Sequence, residues 1–227
     1  PNEDVIFALV TKLKQLSEQG VLLRLTPSHC QALLHVLDGQ SISANCVLVI
    51  GGEALSQKLA SELRQMFPKS ALYNHYGPSE TVVGCCLQPF NDMSLSEMGQ
   101  VPIGRPMANT QLLVLDNLQQ LQVPGGIGEL WIGGAGVANG YWQRPELTRQ
   151  CFVQDVLKCG SEMRYYKSGD LVRWNSQDQL EFIGRKDHQV KIRGHRVELS
   201  EIDVQLSSCE GIEQAITMLC LEAENQY

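Results

Sequence analysis

The sequence predicts an α/β fold that starts with a parallel sheet whose strands are joined by helices. Helix and strand patterns alternate over residues 1–90, short strands and turn formers take over from about Gly99, and a basic hairpin follows Gly184. We therefore expect part of an α/β sheet subdomain at 1–98 and a mainly β subdomain at 99–183. A short hinge at 184–188 then leads into the start of a small α/β subdomain at 189–227.

The first region contains three helices and three strands in alternation. Apolar residues at helical spacing predict a helix over Val5–Gln19, which Gly20 closes. Thr26-Pro27-Ser28 opens a second helix, because a proline in the first turn loses no helical hydrogen bond. A third helix is expected over Leu55–Phe67. Short apolar runs predict the intervening strands at Val21–Leu25, Val47–Ile50 and Ala71–Asn74.

The later regions are predicted from shorter patterns. Strands at Gln111–Leu115 and Gly128–Ile132, separated by Pro124-Gly125-Gly126, indicate a compact and mainly antiparallel unit. The final region is expected to contain a basic hairpin, a helix and a strand at Gln189–Glu198, Leu199–Ser207 and Ala215–Leu221.

Composition excludes two classes of partner. The chain has 227 residues and a formal net charge of −7, so it has no basic stripe for nucleic acid. Its longest apolar stretch, Cys46–Ile50, is far too short to cross a bilayer. No signal peptide is visible, and a start at Pro1 indicates an excised fragment of a longer protein.

The eight cysteines show no C-x-x-C pair and no histidine-rich partner cluster. Several lie within apolar runs, as Cys46 and Cys220 do. This pattern predicts buried, reduced thiols in a cytoplasmic protein rather than disulfides or a zinc site.

A ligand site is expected beyond the carboxyl ends of the parallel strands. Three of these ends can be identified, at Arg24, Gly51-Gly52 and Asn74-His75-Tyr76. Glycines after a strand let a flat ligand approach the backbone closely. Alone, however, a Gly-Gly pair is more often only a tight turn.

The segment Asn74–Thr81 combines an amide, an aromatic ring, a Gly-Pro bend, a hydroxyl and a carboxylate. Tyr76 could stack on a nucleobase and Asn74 could bind its edge. Ser79 could donate to a phosphate and Glu80 could hold Mg²⁺, which prefers oxygen ligands shared with phosphates. The alternative is an ordinary polar loop with a capping serine.

This segment resembles the aromatic-Gly-Pro-Thr-Glu motif of the adenylate-forming superfamily, with Ser79 in place of threonine. The runs Gly-Tyr-Trp-x-Arg-Pro-Glu-Leu-Thr and Gln-Val-Lys-Ile-Arg-Gly resemble nonribosomal peptide synthetase adenylation domains more than acyl-CoA ligases or luciferases. Further similar motifs follow in family order at Gly128–Gly134, Gly136–Trp142, Arg144–Thr148, Tyr166–Leu171 and Gly184–Leu199.

The resemblance implies a truncated large adenylation subdomain, with its parallel sheet and a small β-barrel-like unit, followed by the start of the C-terminal subdomain. It also implies a reaction. An amino acid attacks the α-phosphate of ATP, with Mg²⁺, to give an aminoacyl adenylate and pyrophosphate. A phosphopantetheine thiol then takes the acyl group. The implied partners are the amino acid, a peptidyl carrier (thiolation) domain and neighbouring synthetase domains.

Matching positions imply the roles of individual residues. Ser79 and Glu80 would be catalytic, with Ser79 on the α-phosphate and Glu80 on Mg²⁺. Asp170 would accept from both ribose hydroxyls and Arg185 would support the ribose. The nucleotide-binding set comprises Gly51, Gly52, Asn74, His75, Tyr76, Gly77, Asp170, Phe182 and Arg185.

Without the resemblance, Asp170 would be interpreted as a turn residue and Arg185 as a surface charge. Asp187 matches the family's hinge position. The motifs over Gly128–Trp142 are expected to be structural, with Tyr141, Trp142 and Pro145 packing a domain joint. The family's Pro-Lys-Gly phosphate loop and late catalytic lysine are not in the chain, so we expect it to be inactive alone.

The substrate pocket implied by the resemblance contains Arg24, Val49, Gly51, His75, Val83 and Gly84. Two potential cations, Arg24 and His75, favour an acidic side chain, because a desolvated guanidinium needs a carboxylate partner. Aspartate is therefore expected, followed by its hydroxylated or methylated forms, asparagine or glutamate. Alternatively, Arg24 points outward into solvent. The rival functions are a ligase for fatty or aryl acids and a non-catalytic scaffold.

Overall fold

The computed structural model describes residues 3–16, 20–90, 99–154, 163–187, 189–192, 195–209, 211–212 and 214–218. These residues form two larger sheets, a separate hairpin and five α-helices. The α/β class predicted from the sequence is confirmed by the similarity to solved structures reported below. None of the described helices is long and apolar enough to cross a membrane.

The first sheet has five strands that lie side by side in chain order. They are β1 (Val21–Leu25), β2 (Cys46–Gly51), β3 (Ala71–Tyr76), β4 (Cys86–Pro89) and β5 (Arg105–Pro106). β1, β2 and β3 are parallel, whereas β4 and β5 are antiparallel to their neighbours. Helices precede or connect the parallel strands: α1 (Glu3–Gln15), α2 (Pro27–Leu37) and α3 (Gln57–Met66).

Local capping defines the starts of two of these helices. The Thr26 side chain accepts a hydrogen bond from the backbone of His29, and Ser56 caps α3 by accepting from Leu59. Pro27 occupies the first turn of α2, as predicted. The helix expected over Val5–Gln19 ends earlier, at Gln15; Ser17, Glu18 and Gln19 lie outside the described residues.

The two faces of the first sheet differ in burial. Leu48, Ile50 and Leu72 are fully buried in one core with apolar residues of α1, α2 and α3. Side chains alternate between faces along each strand. The opposite face carries Leu22, which is 71% exposed, and Val47, which is 38% exposed.

The second sheet is antiparallel and has the strand order β10-β9-β7-β6, with β8 paired to β9. Its strands are β6 (Thr110–Leu115), β7 (Gly128–Gly134), β8 (Phe152–Gln154), β9 (Arg164–Trp174) and β10 (Leu180–Arg185). Helix α4 (Pro145–Cys151) precedes β8.

Gly104 connects the two sheets through a bridge to Leu180 of β10. Its φ is +91°, and a Cβ there would lie 2.4 Å from the carbonyl oxygen of Leu87. Glycine is therefore required by both conformation and space. A second core of buried residues from both sheets, including Tyr76 and Val172, fills this junction.

The last described elements are β11 (Gln189–Ile192), β12 (His195–Glu198) and α5 (Leu199–Ser207). The hairpin and α5 lie where the sequence predicted them. The strand predicted at Ala215–Leu221 is wrong in its described part, because 214–218 form no strand. Residues 219–221 lie outside the described residues.

The cysteine prediction is correct for four residues and wrong for one. Cys30, Cys46, Cys85 and Cys86 are buried free thiols, whereas Cys209 is exposed. Burial, with a smaller contribution from Glu53, raises the pKa of Cys30 to about 12. Cys151 is half-buried, and Cys159 and Cys220 lie outside the described residues.

Candidate active site

A cavity of about 430 Å³ lies at the carboxyl ends of β2 and β3. Most of the predicted nucleotide-binding residues line it: Gly52, Asn74, His75, Tyr76, Gly77, Asp170, Phe182 and Arg185. The structure thus brings residues from the first sheet together with residues of β9 and β10. Gly51, Ser79 and Glu80 do not line this cavity.

Asp170 is the central polar residue of the cavity. Its side chain is 5% exposed. One carboxylate oxygen accepts from the Tyr76 hydroxyl, and Oδ1 accepts from Arg185 Nη1 at 2.7 Å. Because each carboxylate oxygen has two lone pairs, each can accept one further hydrogen bond from a ligand. Burial, followed by the charge of Asp170, raises the pKa of Tyr76, which keeps its hydroxyl a donor.

Arg185 is a partly buried connecting residue, so the surface-charge interpretation is wrong. Its Nε and Nη2 donate to the two carboxylate oxygens of Asp187 at 2.8 and 2.6 Å. Burial by itself lowers the pKa of Arg185, but hydrogen bonds and charges from Asp187 and Asp170 outweigh that effect and raise it. The predicted hinge residue Asp187 is therefore tied directly to the group that holds Asp170.

Asn74 has a structural contact that limits how it can bind a base. Its side-chain nitrogen donates to the carbonyl oxygens of Val101 and Pro102 at 3.2 and 2.9 Å. Both amide hydrogens are thereby used, so only the carbonyl oxygen can contact a ligand. Asn74 can accept from an exocyclic amine, such as that of adenine, but has no hydrogen left to donate.

Four of the six predicted substrate residues lie on the more exposed face of the first sheet, and of the six only His75 lines the cavity. Strand register pairs Arg24 with Val49 and Gly51 with His75, which places all four on one face. A Cβ on Gly84 would lie 2.0 Å from His75 Nε2, so the loop backbone packs directly against the imidazole.

The charge state of this face differs from the prediction. Arg24 is exposed, so the described residues do not desolvate it. Burial, followed by the charge of Arg24, lowers the pKa of His75 below its usual 6.5. Both effects favour the neutral imidazole, so Arg24 carries the positive charge of this face and His75 offers a hydrogen bond.

Val83 lies in a strained loop next to this face. Val82 and Val83 have φ values of +61° and +66°. Such values are costly for β-branched residues, at about 1–3 kcal/mol each. A hydrogen bond from Val83 N to Pro78 O, 3.2 Å long, holds the turn, and Val83 remains 45% exposed.

Ser79 and Glu80 lie in a single 3-10 turn, Ser79–Thr81. Ser79 is exposed and Glu80 is half-buried. Tyr141 donates its hydroxyl to Glu80 Oε1 at 2.7 Å, and burial together with this bond raises the pKa of Tyr141. Sequence reasoning missed this contact, because it joins residues on two distant motifs. The packing role expected for Trp142 is wrong, since that side chain is 87% exposed.

The donor set around Glu80 suits one type of metal. No group of three or more metal-ligating side chains occurs among the described residues. Mg²⁺ is commonly held by one or two carboxylates together with the phosphates of a nucleotide. A single carboxylate at Glu80 therefore fits a magnesium ion that arrives with ATP.

Glu53 is a further cavity residue that the sequence analysis did not identify. Its Oε2 accepts from Ser28 N and Oγ at 3.1 and 2.7 Å, which ties the Gly51-Gly52 loop to the start of α2. The sequence signal that could have identified Glu53 is its position directly after Gly51-Gly52. The remaining unpredicted lining residues include Leu55, Gln100, Val101, Ile103, Gln189, Val190 and Leu199.

Comparison with known proteins identifies the family of this site. A model described as AMP-binding enzyme matches residues 11–142, which is more than half of the chain. Tyrocidine synthase 3 from Brevibacillus parabrevis is 39% identical over 199 residues. That match covers 87% of this chain but only 3% of the synthase, so the chain spans a small part of this relative.

Two solved structures share the fold. PA1221, described as an NRPS protein containing adenylation and PCP domains, is 31% identical with a TM-score of 0.80. The match covers 94% of this chain and 36% of PA1221. The Vibrio cholerae adenylation domain AlmE, solved with glycyl-adenosine-5'-phosphate, is 28% identical with a TM-score of 0.69; 88% of this chain and 36% of AlmE are covered.

Proposed function

Because the chain belongs to the AMP-binding enzyme family, we propose that it carries most of the nucleotide site of a domain that activates an amino acid with Mg-ATP. The product is an aminoacyl adenylate, with release of pyrophosphate. One observation carries this proposal. Asp170 is buried between the donors Tyr76 and Arg185, at a cavity large enough for an adenosine group.

The nucleoside binds through three kinds of contact. The two free acceptor positions of Asp170 receive the ribose hydroxyls, because a carboxylate with one oxygen per hydroxyl can bind a diol. The carbonyl oxygen of Asn74 accepts from the adenine amine. Tyr76 and Phe182 supply apolar wall, and the glycines at 52 and 77 allow the ring to lie against the backbone.

The phosphates extend toward the turn that holds Ser79 and Glu80. Ser79 is exposed and can donate its hydroxyl to the α-phosphate. Glu80 would hold Mg²⁺, which would neutralise developing phosphate charge when bound. The chain's own contribution is to fix these two groups on one short turn.

Transfer to a carrier protein requires a second arrangement of the small C-terminal unit. We assign its hinge to 184–188 around Asp187, with the sheet unit at 1–98, the β unit at 99–183 and the small unit at 189–227. Asp187 accepts from both Arg185 and Gln189 N, at 3.2 Å for the latter. Movement at this point would break or re-form those bonds and bring a phosphopantetheine thiol to the adenylate. PA1221, which contains adenylation and PCP domains, supports a peptidyl carrier domain as partner.

We still propose aspartate as the substrate, but the argument now uses one cation and one hydrogen-bond donor in place of two cations. Arg24 supplies one cation on the sheet face, and neutral His75 supplies a hydrogen-bond donor beside it. A substrate carboxylate between them would raise the pKa of His75, because a nearby anion favours the charged imidazole. Gly51 and Gly84 bring backbone directly against His75, because a Cβ on either residue would lie within 2.3 Å of a His75 atom.

The test is ATP–pyrophosphate exchange by the full-length protein that contains this chain, against all proteinogenic amino acids. Exchange led by aspartate, falling at least about tenfold in Arg24→Ala, supports both the reaction and the pocket. Arg64→Ala is a matched control, since Arg64 lies in α3 on the helical side of the sheet.

Other outcomes distinguish the rival functions. Exchange led by an apolar amino acid keeps the reaction and removes the aspartate assignment. Exchange only with fatty or aryl acids identifies the other class of ligase. Absence of exchange with any acid contradicts the proposed activity and favours a non-catalytic scaffold.

A further inference from the structure

Glu80 accepts hydrogen bonds from two residues of the segment that follows β7. Tyr141 donates its hydroxyl to Glu80 Oε1 at 2.7 Å, and the backbone N–H of Ala138 donates to the Glu80 carbonyl oxygen at 2.9 Å. The segment also packs closely at Gly136, where a Cβ would lie 3.5 Å from Thr81 O. Both the backbone and the carboxylate of Glu80 are therefore fixed by one loop.

A second set of contacts fixes Tyr141 itself. Its backbone N–H donates to Thr148 Oγ1 at 2.9 Å, and that hydroxyl lies 2.9 Å from the carbonyl oxygen of Arg144, to which it donates. Gly140 has a φ of +143°, and a Cβ there would lie 2.3 Å from Thr148 Cγ2. Glycine at 140 thus lets the start of α4 reach Tyr141.

Aromatic contacts set the direction of the Tyr141 ring. The ring meets Phe152 edge to face, with centroids 5.4 Å apart and planes at 71°. Phe152 in turn packs on Tyr166 of β9 at 5.2 Å. The phenol is therefore aimed at Glu80 by the second sheet, while Glu80 belongs to a turn of the first.

We infer that Tyr141 is a positioning residue for Glu80, which presets the carboxylate for Mg²⁺ bound with ATP. The inference rests on the proposed function. A hydrogen bond on one carboxylate oxygen limits rotation of the group and fixes the direction of its lone pairs. Loss of such a supporting contact commonly weakens metal binding about 10- to 100-fold.

Tyr165 provides a matched control. It lies in the second sheet, is buried, and donates its hydroxyl to Gln111 Oε1 at 2.7 Å. Tyr165→Phe therefore removes the same atom from a buried tyrosine whose hydroxyl donates to Gln111. Thr148→Val is a further variant, because it keeps the side-chain shape and removes the hydroxyl that holds Tyr141.

The experiment uses the full-length protein, Mn²⁺ as the metal and α,β-methylene-ATP as the nucleotide. Electron paramagnetic resonance measures the Kd of Mn²⁺ in the ternary complex. We expect Tyr141→Phe to raise this Kd about tenfold and Thr148→Val to raise it less, while Tyr165→Phe leaves it unchanged. In pyrophosphate exchange, Tyr141→Phe should raise the half-saturating Mg²⁺ concentration but leave the amino-acid KM unchanged.

An unchanged Mn²⁺ Kd in Tyr141→Phe overturns the inference. An equal loss in Tyr165→Phe also overturns it, since the effect would then be general destabilisation. If Tyr141→Phe does not fold, Thr148→Val decides, and a wild-type Kd there overturns the inference. If the protein binds Mn²⁺ and nucleotide but shows no exchange, the proposed function is contradicted. The ratio of the Mn²⁺ Kd in Tyr141→Phe to that in the wild type still tests the role of Tyr141. Failure of the wild-type protein to bind Mn²⁺ in the presence of the nucleotide also overturns the inference about Tyr141.

Discussion

The groups around Asp170 and the groups around Arg24 are neighbouring parts of the candidate site but are held in different ways. Asp170 is buried, and Tyr76 and Arg185 satisfy its charge from within the chain. Arg24 is exposed, and burial followed by the charge of Arg24 lowers the pKa of its described neighbour His75. The proposed nucleotide half is thus held by contacts within the chain, whereas the proposed substrate half contains an exposed charge.

This contrast determines what each half can be expected to do. A preorganised carboxylate loses little entropy on binding a diol, so it contributes strongly to affinity. An exposed guanidinium retains its water and gains less from a partner. Substitutions in the nucleotide half should therefore have larger effects than substitutions on the sheet face.

The largest effect is expected for Asp170→Asn. The variant keeps the shape but removes the charge that pairs with Arg185 and that, in the proposed site, accepts the ribose hydroxyls. Affinity for ATP should fall about 100-fold, since two hydrogen bonds to a charged group are worth about 1.5 kcal/mol each. Isothermal titration of the full-length protein with α,β-methylene-ATP measures this change.

Asp178→Asn is the matched control for that prediction. Asp178 lies in an exposed turn with a φ of +54°, a conformation that asparagine also tolerates. Its ATP affinity should equal that of the wild type. Equal affinities for wild type and Asp170→Asn would remove the asymmetry between the two halves of the site.

A smaller effect is expected for Gly84→Ala on the substrate side. The added Cβ would lie 2.0 Å from His75 Nε2, so the imidazole must move. Overpacking costs about 1 kcal/mol or more, and a loss of about 1.4 kcal/mol in substrate binding predicts an amino-acid KM about tenfold higher. The KM for ATP should change less, because the contacts proposed for the ribose are made by Asp170 and not by His75.

Gly20→Ala controls for the added methyl group, since a Cβ at Gly20 meets nothing within 4 Å. Steady-state exchange kinetics measure both KM values. A rise in the ATP KM alone in Gly84→Ala would show that the His75 side of the cavity serves the nucleotide instead.

The smallest effect is expected in the titration of His75. Burial and Arg24 both favour the neutral imidazole, so the pKa of His75 lies below 6.5 and rises in Arg24→Ala. The folded state therefore binds fewer protons than the unfolded state, and this contribution to stability is present above pH 6.5 and is lost as pH falls below it.

Diethylpyrocarbonate labelling of the neutral imidazole, followed by peptide mass spectrometry from pH 5 to 8, measures the His75 pKa. Arg64→Ala should leave the midpoint where it is. An unchanged midpoint in Arg24→Ala would show that Arg24 does not affect the titration of His75. The two residues would then act independently in the proposed substrate half.

Local features of the sequence predicted most of the secondary structure. Helix α5 has the predicted bounds Leu199–Ser207, and Thr26 caps α2 because its side chain reaches a backbone N–H three residues on. β3 was predicted to end at Asn74 but continues to Tyr76, since β4 pairs with those last residues. The strand expected at Ala215–Leu221 does not form over its described part.

The sequence by itself determined the alternation of helices and strands and the motifs that place this chain in its family. Those signals lie within a few residues of each other, where capping, periodicity and turn chemistry act. Only the tertiary structure decided that Tyr141 meets Glu80, that Arg185 joins Asp170 to Asp187, and that the pKa of His75 is lowered. Strand order and register bring distant residues together, and burial then sets their charge.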